Sequence, residues 1–183
     1  MKLYYSPGAC SLAAHILLNE INVDFDLERV DLKTHKTEKG ADYYEINPKG
    51  YVPALEINPG LILTENVAVL PFIAQHDAGQ DLIPPSGLGR AKVLEWLGYL
   101  NSELHDEYAV FFDPKITEDE KVRGYATIDK MLKYIDDYLA KSDYDYLVND
   151  RFGPADAYLF VLTNWSKVIH HDLTPFTNIV ALR

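Results

Sequence analysis

The stretch MKLYYSPGACSLAAHILLNE (residues 1–20) contains the pattern from which the fold can be inferred. Residues 2–5 predict a short strand, the proline and glycine after them predict a loop, and Ser11 caps a predicted helix that ends near Glu20. Residues 26–30 alternate and predict a second strand. A strand, a helix and a strand in this order predict a unit whose two strands are parallel.

A hairpin and another helix are predicted next. Residues 52–57 predict a third strand that begins beside Pro53, and a turn at residues 58–60 connects it to a fourth, antiparallel strand. A further helix is predicted from Glu65 onward. Together with the first unit, these elements predict an N-terminal α/β domain at residues 1–79, with a mixed four-stranded sheet and helices.

The second half of the sequence has a different pattern. Proline and glycine are concentrated in residues 80–89, which predicts a linker. Three segments beyond it have apolar residues at helical spacing. These segments are residues 90–108, 118–140 and 156–169. We therefore predict an all-helical C-terminal domain at residues 90–183, and its last six residues resemble the beginning of a helix, so we expect the last helix to be incomplete.

Composition argues against several classes of protein. The chain of 183 residues is 48% hydrophobic and has a formal net charge of -11, which argues against a nucleic-acid surface and against docking on anionic membranes. No apolar run is long enough to cross a membrane, and the N-terminus lacks a signal-peptide pattern. The single cysteine allows no internal disulfide, and no spacing predicts a metal site. We expect a cytoplasmic protein without metal, membrane or nucleic-acid partners.

Cys10 is the side chain with the clearest potential for chemistry. It lies between a loop and the first turn of a helix, where free N–H groups and the helix dipole are expected to stabilise a thiolate. The alternative is a buried cysteine that packs as a small apolar residue, but a loop with proline and glycine is an unusual place for one. No second cysteine follows at a two-residue spacing, so any redox reaction needs an external thiol.

Two further segments predict ligand contacts. The proline after Val52 opens an internal-looking strand, and one explanation is a cis peptide bond that leaves the Val52 backbone free for a ligand; the alternative is an edge strand. At Thr64, Glu65 and Asn66 a strand ends and a helix begins, so a carboxylate can bind the helix N-terminus while Glu65 pairs with an ammonium. The alternative there is an ordinary helix cap. With Cys10, these segments describe a site for a zwitterionic thiol.

Motifs in both halves of the chain carry a family resemblance. They are Pro7-Gly8-Ala9-Cys10-Ser11-Leu12, Ile46 to Leu55, Leu63-Thr64-Glu65, Ser102-Glu103-Leu104-His105, and Ala155 to Phe160 with Trp165. Together they resemble the bacterial glutathione transferases of the beta class, over nearly the whole chain. The resemblance implies a thioredoxin-like N-terminal domain, a helical-bundle C-terminal domain, glutathione as cosubstrate and a homodimer.

The resemblance also implies roles for individual residues. Cys10 faces the glutathione thiol with Tyr5 and Ser11 beside it, and His105 reaches the same sulfur from the second domain. The residues implied to hold glutathione are His35, Lys36, Val52, Pro53, Glu65 and Asn66. The pocket for a small hydrophobic electrophile is implied at Tyr108, Phe112 and Trp165.

Some positions depart from the family pattern. His35 stands where relatives often have a lysine for the glycyl carboxylate, and histidine is mostly neutral at pH 7, which predicts weaker or more pH-dependent binding. Asp106 replaces a frequent lysine, and Gly98 a frequent asparagine. Gly153 replaces the usual hydroxyl cap of a helix, where Asp156 is expected to bond back to the Gly153 N–H.

The sequence thus predicts an enzyme that activates glutathione and adds it to hydrophobic electrophiles. A second hypothesis is glutathione-dependent thiol–disulfide exchange, in which Cys10 attacks a glutathionylated thiol. A third is a non-catalytic glutathione-binding or stress-interaction protein that kept the fold, because fold alone does not settle function.

Overall fold

The chain forms two units, Met1–Pro85 and Ser86–Arg183, in a computed structural model that describes residues 1–79 and 82–183. Part of the linker predicted at residues 80–89, namely Gln80 and Asp81, lies outside the described residues. Within the described ranges, no helix is both long and apolar enough to cross a membrane.

The first unit is built on a mixed sheet of five strands with two helices. Its elements are β1 (Lys2–Tyr5), α1 (Leu12–Glu20), β2 (Asp26–Asp31), β3 (Lys36–Thr37), β4 (Ala54–Asn58), β5 (Leu61–Thr64) and α2 (Asn66–Ala74). The strand order is β3-β2-β1-β4-β5. β1 is parallel to β2, and β4 and β5 form an antiparallel hairpin. The predicted parallel pair and the predicted hairpin are therefore confirmed.

β3 is the strand that the sequence pattern did not predict, and it raises the number of strands from four to five. It has only two residues, which is too short for an alternating pattern to be visible. It pairs antiparallel with the end of β2, and the N–H of Glu38 extends this pairing by donating to the carbonyl of Arg29 at 2.8 Å. A 3-10 turn at Tyr43–Glu45 lies between β3 and β4.

Apolar side chains cover both faces of the sheet. Leu3 and Leu55, which are register partners on β1 and β4, are fully buried. Because side chains alternate along a strand, Tyr4 lies on the opposite face, where it belongs to a buried cluster with Tyr43 and Val52. The loops that follow β1 and precede β4 are thus anchored to a packed sheet.

The second unit consists of helices, as predicted. They are α3 (Gly87–Tyr99), α4 (Asp106–Ala109), α5 (Glu118–Lys141), α6 (Pro154–Val168) and α7 (Thr177–Leu182). Between α3 and α4 the chain continues through a π-helical segment, Leu100–His105, which interrupts the helix predicted at residues 90–108. The predicted combination of an α/β domain with a helical domain is confirmed.

Asp156 fixes the start of α6, as expected from Gly153. It is 2% exposed, and its carboxylate accepts hydrogen bonds from the N–H groups of Gly153 and Leu147, both at 2.9 Å. Burial raises the pKa of Asp156 to about 6, although the two N–H donors act in the opposite direction. One side chain therefore closes the helix N-terminus and ties it to the segment before it.

Candidate functional site

Ser11 organises the loop that follows β1. It is fully buried, and its hydroxyl accepts a hydrogen bond from the Ser6 N–H at 3.2 Å and donates to the Ser6 carbonyl at 3.4 Å. The predicted side-chain cap of α1 is wrong, because Ser11 has helical backbone angles (φ -59°, ψ -17°) and makes no cap bond. A capping serine normally has an extended backbone. The hydroxyl closes the loop instead, and its predicted role beside glutathione stays a prediction.

Cys10 lies half-buried at the end of this loop, next to the chain that enters β4. Its thiol donates a hydrogen bond to the Val52 carbonyl, with Sγ and O 3.2 Å apart. The peptide bond between Val52 and Pro53 is cis, which is the first of the two explanations for the proline in the sequence. The Val52 carbonyl, which was expected to be free for a ligand, therefore accepts the Cys10 thiol.

Burial raises the pKa of Cys10 to about 11, and the negative charge of Glu65 adds to this increase. The backbone N–H groups of Cys10 and Ser11 and the side chain of Asn66 act in the opposite direction without outweighing the loss of hydration. Cys10 is therefore a neutral thiol at pH 7, and the expected thiolate at the helix start is wrong. The sulfur is withdrawn from water, and a thiolate would lose more hydration free energy there than the helix N-terminus could supply as stabilisation.

Two neighbouring residues at the start of α2 point in different directions. Asn66 is 3% exposed and donates from Nδ2 to the Cys10 carbonyl at 3.4 Å. Its Oδ1 is buried and has no hydrogen-bond partner among the described residues. Glu65 is exposed and has a φ of 71°, which is uncommon for a residue with a side chain. Asn66 thus supports the Cys10 loop from inside, while the Glu65 carboxylate faces the surface.

Lys49 is a residue of this cluster that the sequence analysis missed. Its ammonium forms a short ion pair with Glu65 Oε1 and donates to Thr64 Oγ1 at 2.6 Å. The turn that carries it is held by Asn47, whose Oδ1 accepts the Lys49 N–H at 3.2 Å. The turn was visible in the sequence, but its ion pair was not, because the two charges are 16 residues apart.

His35 packs against the same turn. Its ring lies 4.5 Å from that of Tyr44 between centroids, and a Cβ on Gly50 would lie 2.8 Å from the Tyr44 ring and 3.1 Å from the His35 ring. Gly50 also has a φ of 74°, so both the backbone angle and the close approach require glycine. His35 Nδ1 is buried without a hydrogen-bond partner in the described part of the chain. Its predicted contact with glutathione stays a prediction.

Two other predicted contacts remain predictions as well. Tyr5 ends β1, and its ring lies 6.0 Å from the ring of His15 on α1. Lys36 is an exposed residue of β3. As for metals, residues 1–79 and 82–183 contain no group of three or more histidine, cysteine, aspartate or glutamate side chains that could hold an ion.

In the second unit, the predicted electrophile residues meet at Trp165. The rings of His105, Tyr108 and Phe112 lie 5.2, 6.1 and 5.3 Å from it between centroids. Tyr108 is fully buried, its hydroxyl is 2.6 Å from Ser166 Oγ, and burial raises its pKa to about 12. Phe112 is 47% exposed. The structure thus brings together four residues that the sequence could associate only through family resemblance.

Comparison with known proteins gives a consistent result along the chain. The family model of the glutathione S-transferase N-terminal domain matches residues 1–75, and that of the C-terminal domain matches residues 91–183. Glutathione S-transferase GstA of Escherichia coli O157:H7 is 40% identical to this chain, over 99% of this chain and 90% of its own length.

Two solved structures are similar throughout. A sphingomonad glutathione S-transferase complexed with glutathione has a TM-score of 0.93 and 38% sequence identity, and the match covers 100% of this chain and 90% of that one. A beta-class glutathione S-transferase of Sphingomonas chungbukensis has a TM-score of 0.93 and 37% identity, with the same coverage of 100% and 90%.

Proposed function

Because the chain belongs to the glutathione S-transferase family, we propose that it conjugates glutathione to small hydrophobic electrophiles. Conjugation of glutathione is the general function of this family of enzymes, with glutathione as cosubstrate, and the resemblance to the beta class is confirmed. The observation that supports the proposal most directly is the cluster of Cys10, Val52, Glu65 and Asn66 in the unit that matches the N-terminal family model.

The residues of this cluster have complementary roles in the proposal. The Val52 backbone, with Pro53 after it, binds the cysteinyl part of glutathione, and Glu65 pairs with the γ-glutamyl ammonium. Cys10 donates its hydrogen bond to the glutathione sulfur instead of to the Val52 carbonyl. A neutral thiol suits this role because it still carries the proton to donate at pH 7. The nucleophile is the glutathione thiolate and not Cys10.

Hydrogen bonds to the glutathione sulfur favour its thiolate and so increase the population of nucleophile near pH 7. By resemblance, we assign one such bond to His105. The aromatic group around Trp165 supplies apolar surface for the electrophile. Phe112 is its exposed member, whereas the buried Tyr108 supports Trp165 from within the unit.

Thiol–disulfide exchange is the second candidate, and the position of the only cysteine within the cluster favours it. The Cys10 thiolate would attack the glutathionyl sulfur of a mixed disulfide, releasing the other thiolate and forming a disulfide between Cys10 and glutathione. A second glutathione thiolate would then attack the glutathionyl sulfur of that disulfide, which forms oxidised glutathione and releases the Cys10 thiolate. The raised pKa of Cys10 leaves little thiolate at pH 7, so we expect exchange to be slower than conjugation.

Measuring both activities on wild-type protein and on Cys10→Ala separates the two reactions. Conjugation is followed with a chromogenic aryl halide and exchange with a glutathionylated peptide, at one pH. We expect Cys10→Ala to lose about tenfold to a hundredfold in conjugation, because one of several hydrogen-bond donors is removed, and to lose exchange completely. Complete loss of both activities would show that the thiol is indispensable to conjugation. A wild-type protein without conjugation activity would contradict the proposed function.

We also propose that the protein is a cytoplasmic homodimer that detoxifies electrophiles. A single cysteine accords with a reducing compartment. Exposed apolar side chains on α3 and α5, including Leu88, Leu94 and Tyr134, offer surface that a second copy of the chain would bury.

A further inference from the structure

Lys49 places a fixed positive charge next to the carboxylate that is proposed to receive the γ-glutamyl ammonium. Its Nζ is bonded to both Glu65 Oε1 and Thr64 Oγ1. We infer that Lys49 is a specificity-determining residue that binds the α-carboxylate of the γ-glutamyl group, so that Lys49 and Glu65 together recognise an amino-acid zwitterion. This inference rests on the proposed function and adds a ligand contact to it.

Buried groups hold the backbone of the turn that presents Lys49. Asn47 is 2% exposed, accepts the Lys49 N–H with Oδ1, and donates from Nδ2 to the Tyr51 carbonyl at 2.7 Å. The hydroxyl of the buried Tyr43 donates to the same carbonyl at 2.8 Å. Gly50, which follows Lys49, approaches the Tyr44 ring too closely for any side chain. The backbone of Lys49 therefore belongs to a hydrogen-bonded turn, and Thr64 and Glu65 already hold its ammonium, which lowers the entropy that its side chain loses on binding.

Glu65 is held in place from its own side. Its carbonyl accepts hydrogen bonds from the N–H groups of Ala68 and Val69 at 2.9 and 2.8 Å, so the first turn of α2 anchors the Glu65 backbone, which has a φ of 71°. Of the carboxylate oxygens, Oε1 bonds to Lys49, and Oε2 has no hydrogen-bond donor among the described residues. A ligand ammonium can therefore bond to Oε2 while Lys49 remains on Oε1.

This arrangement matches the geometry of an α-amino acid. The α-carboxylate is attached to the same carbon atom as the ammonium, so an ammonium at Glu65 Oε2 brings the carboxylate near the Lys49 ammonium. The charges of Lys49, Glu65, the ligand ammonium and the ligand carboxylate then alternate in sign. Each charged group is hydrogen-bonded to a group of the opposite charge or lies next to one. Thr64 supports this geometry, because its hydroxyl accepts one of the three Lys49 protons and so orients the others.

The acidic net charge of the chain makes a local cation important for binding an anionic group. Asn66, whose predicted contact with glutathione stays a prediction, is 3% exposed, and its Nδ2 donates to the Cys10 carbonyl. The chain as a whole carries 28 acidic and 17 basic residues, so an anionic group is repelled unless a local positive charge attracts it. Lys49 supplies that charge, and its side chain is 45% exposed and accessible to a ligand.

Three peptides without a reactive thiol test the inference by titration calorimetry. They are S-methylglutathione, the analogue with a 4-aminobutanoyl group, which lacks the α-carboxylate, and the analogue with a glutaryl group, which lacks the α-ammonium. We expect Lys49→Gln to bind S-methylglutathione and the glutaryl analogue about five- to tenfold more weakly than wild type. The variant loses one charge-assisted hydrogen bond, and solvent screening at this exposed position reduces the effect of that loss. Binding of the 4-aminobutanoyl analogue should not change.

Lys39→Gln is the matched control. Lys39 is another ion-paired lysine of the first unit, 3.3 Å from Glu28, and its replacement changes the net charge by the same amount. We expect it to bind all three peptides like wild type. If Lys49→Gln weakens the binding of all three peptides equally, the lysine charge acts only through its general electrostatic field and not through a bond to the carboxylate. If the variant binds S-methylglutathione more tightly, Lys49 only competes with the ligand ammonium for Glu65. Either result overturns the inference alone, whereas a wild-type protein that binds none of the peptides overturns the proposed function with it.

Discussion

At the scale of single residues, the Cys10 thiol shows how burial determines chemistry. It donates to the Val52 carbonyl, and burial raises its pKa to about 11. A cysteine with the ordinary pKa of about 8.5 is a few per cent thiolate at pH 7, whereas a pKa of about 11 leaves on the order of one molecule in ten thousand ionised. The folded protein therefore carries a cysteine that is a poor nucleophile on its own.

We predict that iodoacetamide alkylates Cys10 slowly at pH 7 and that the rate rises about tenfold per pH unit between pH 8 and pH 10, because the thiolate is the reacting form. Intact mass recorded against time at each pH gives the rate. The same chain unfolded in guanidinium is the control, and its rate should level off near pH 9. A folded-state rate that reaches its plateau below pH 8 would contradict the raised pKa.

Residue-scale predictions succeeded where the signal is local in the sequence. The proline after Val52 and the strand-to-helix junction at Glu65 pointed to their segments because backbone chemistry acts within a few residues. The charge state of Cys10 was predicted wrongly because burial depends on chain segments far from residue 10. Lys49 was missed for a related reason: its importance comes only from a partner that folding brings next to it.

At the scale of elements, two helical glycines differ in what surrounds them. A Cβ on Gly98 in α3 would meet no atom within 4 Å, whereas one on Gly124 in α5 would lie 2.7 Å from the ring of Phe111. We predict that Gly98→Ala raises the free energy of unfolding by about 0.5–1 kcal/mol, because alanine is the better helix former. Gly124→Ala should lower it by about 1–3 kcal/mol through overpacking. Urea unfolding measures both, and changes of the same sign in the two variants would contradict this reasoning.

The start of α6 should make stability depend on pH. Asp156 has a pKa of about 6 in the folded chain and about 3.9 when unfolded, so the folded state binds more protons between these values. The contribution of the neutral carboxyl is complete below pH 4 and is lost as the pH rises through 6. We predict that the free energy of unfolding of wild type relative to Asp156→Asn falls by about 2 kcal/mol from pH 4 to pH 6.5 and changes little at higher pH.

Urea titrations of both proteins at half-unit pH steps provide the measurement for Asp156. The asparagine variant cannot titrate at this position, so carboxylates that titrate equally in both proteins cancel in the difference. A difference that stays flat from pH 4 to pH 6.5 would show that the two N–H donors keep the carboxylate ionised.

Elements were predictable in proportion to their length and periodicity. The 24-residue α5 was predicted nearly to its ends because its apolar face recurs over many turns, and in the structure a capping box of Thr117 and Glu120 fixes its start. The two-residue β3 and the π-helical segment Leu100–His105 were not predicted. Neither changes the periodicity over enough residues to be visible, and tertiary packing determines both.

At the scale of the whole molecule, we expect two copies of the chain to associate. We predict that light scattering at micromolar concentration reports twice the chain mass of 20.8 kDa. The physical reason is the apolar surface exposed on α3 and α5, which water solvates poorly. Replacing Leu94, which is 44% exposed, by glutamate should shift the mass toward that of one chain if this surface is the interface. A wild-type mass of one chain would refute the homodimer.

The ring cluster around Trp165 also gives the protein an intrinsic fluorescent reporter. The chain has two tryptophans, and Trp96 lies apart from this cluster among tyrosine rings of α3 and α5. Trp96→Phe therefore leaves a single indole fluorophore, in ring contact with His105 and Phe112. An electron-poor aromatic compound stacked nearby quenches indole emission. Emission from this variant would record the arrival of an aromatic electrophile in real time, without a coupled assay.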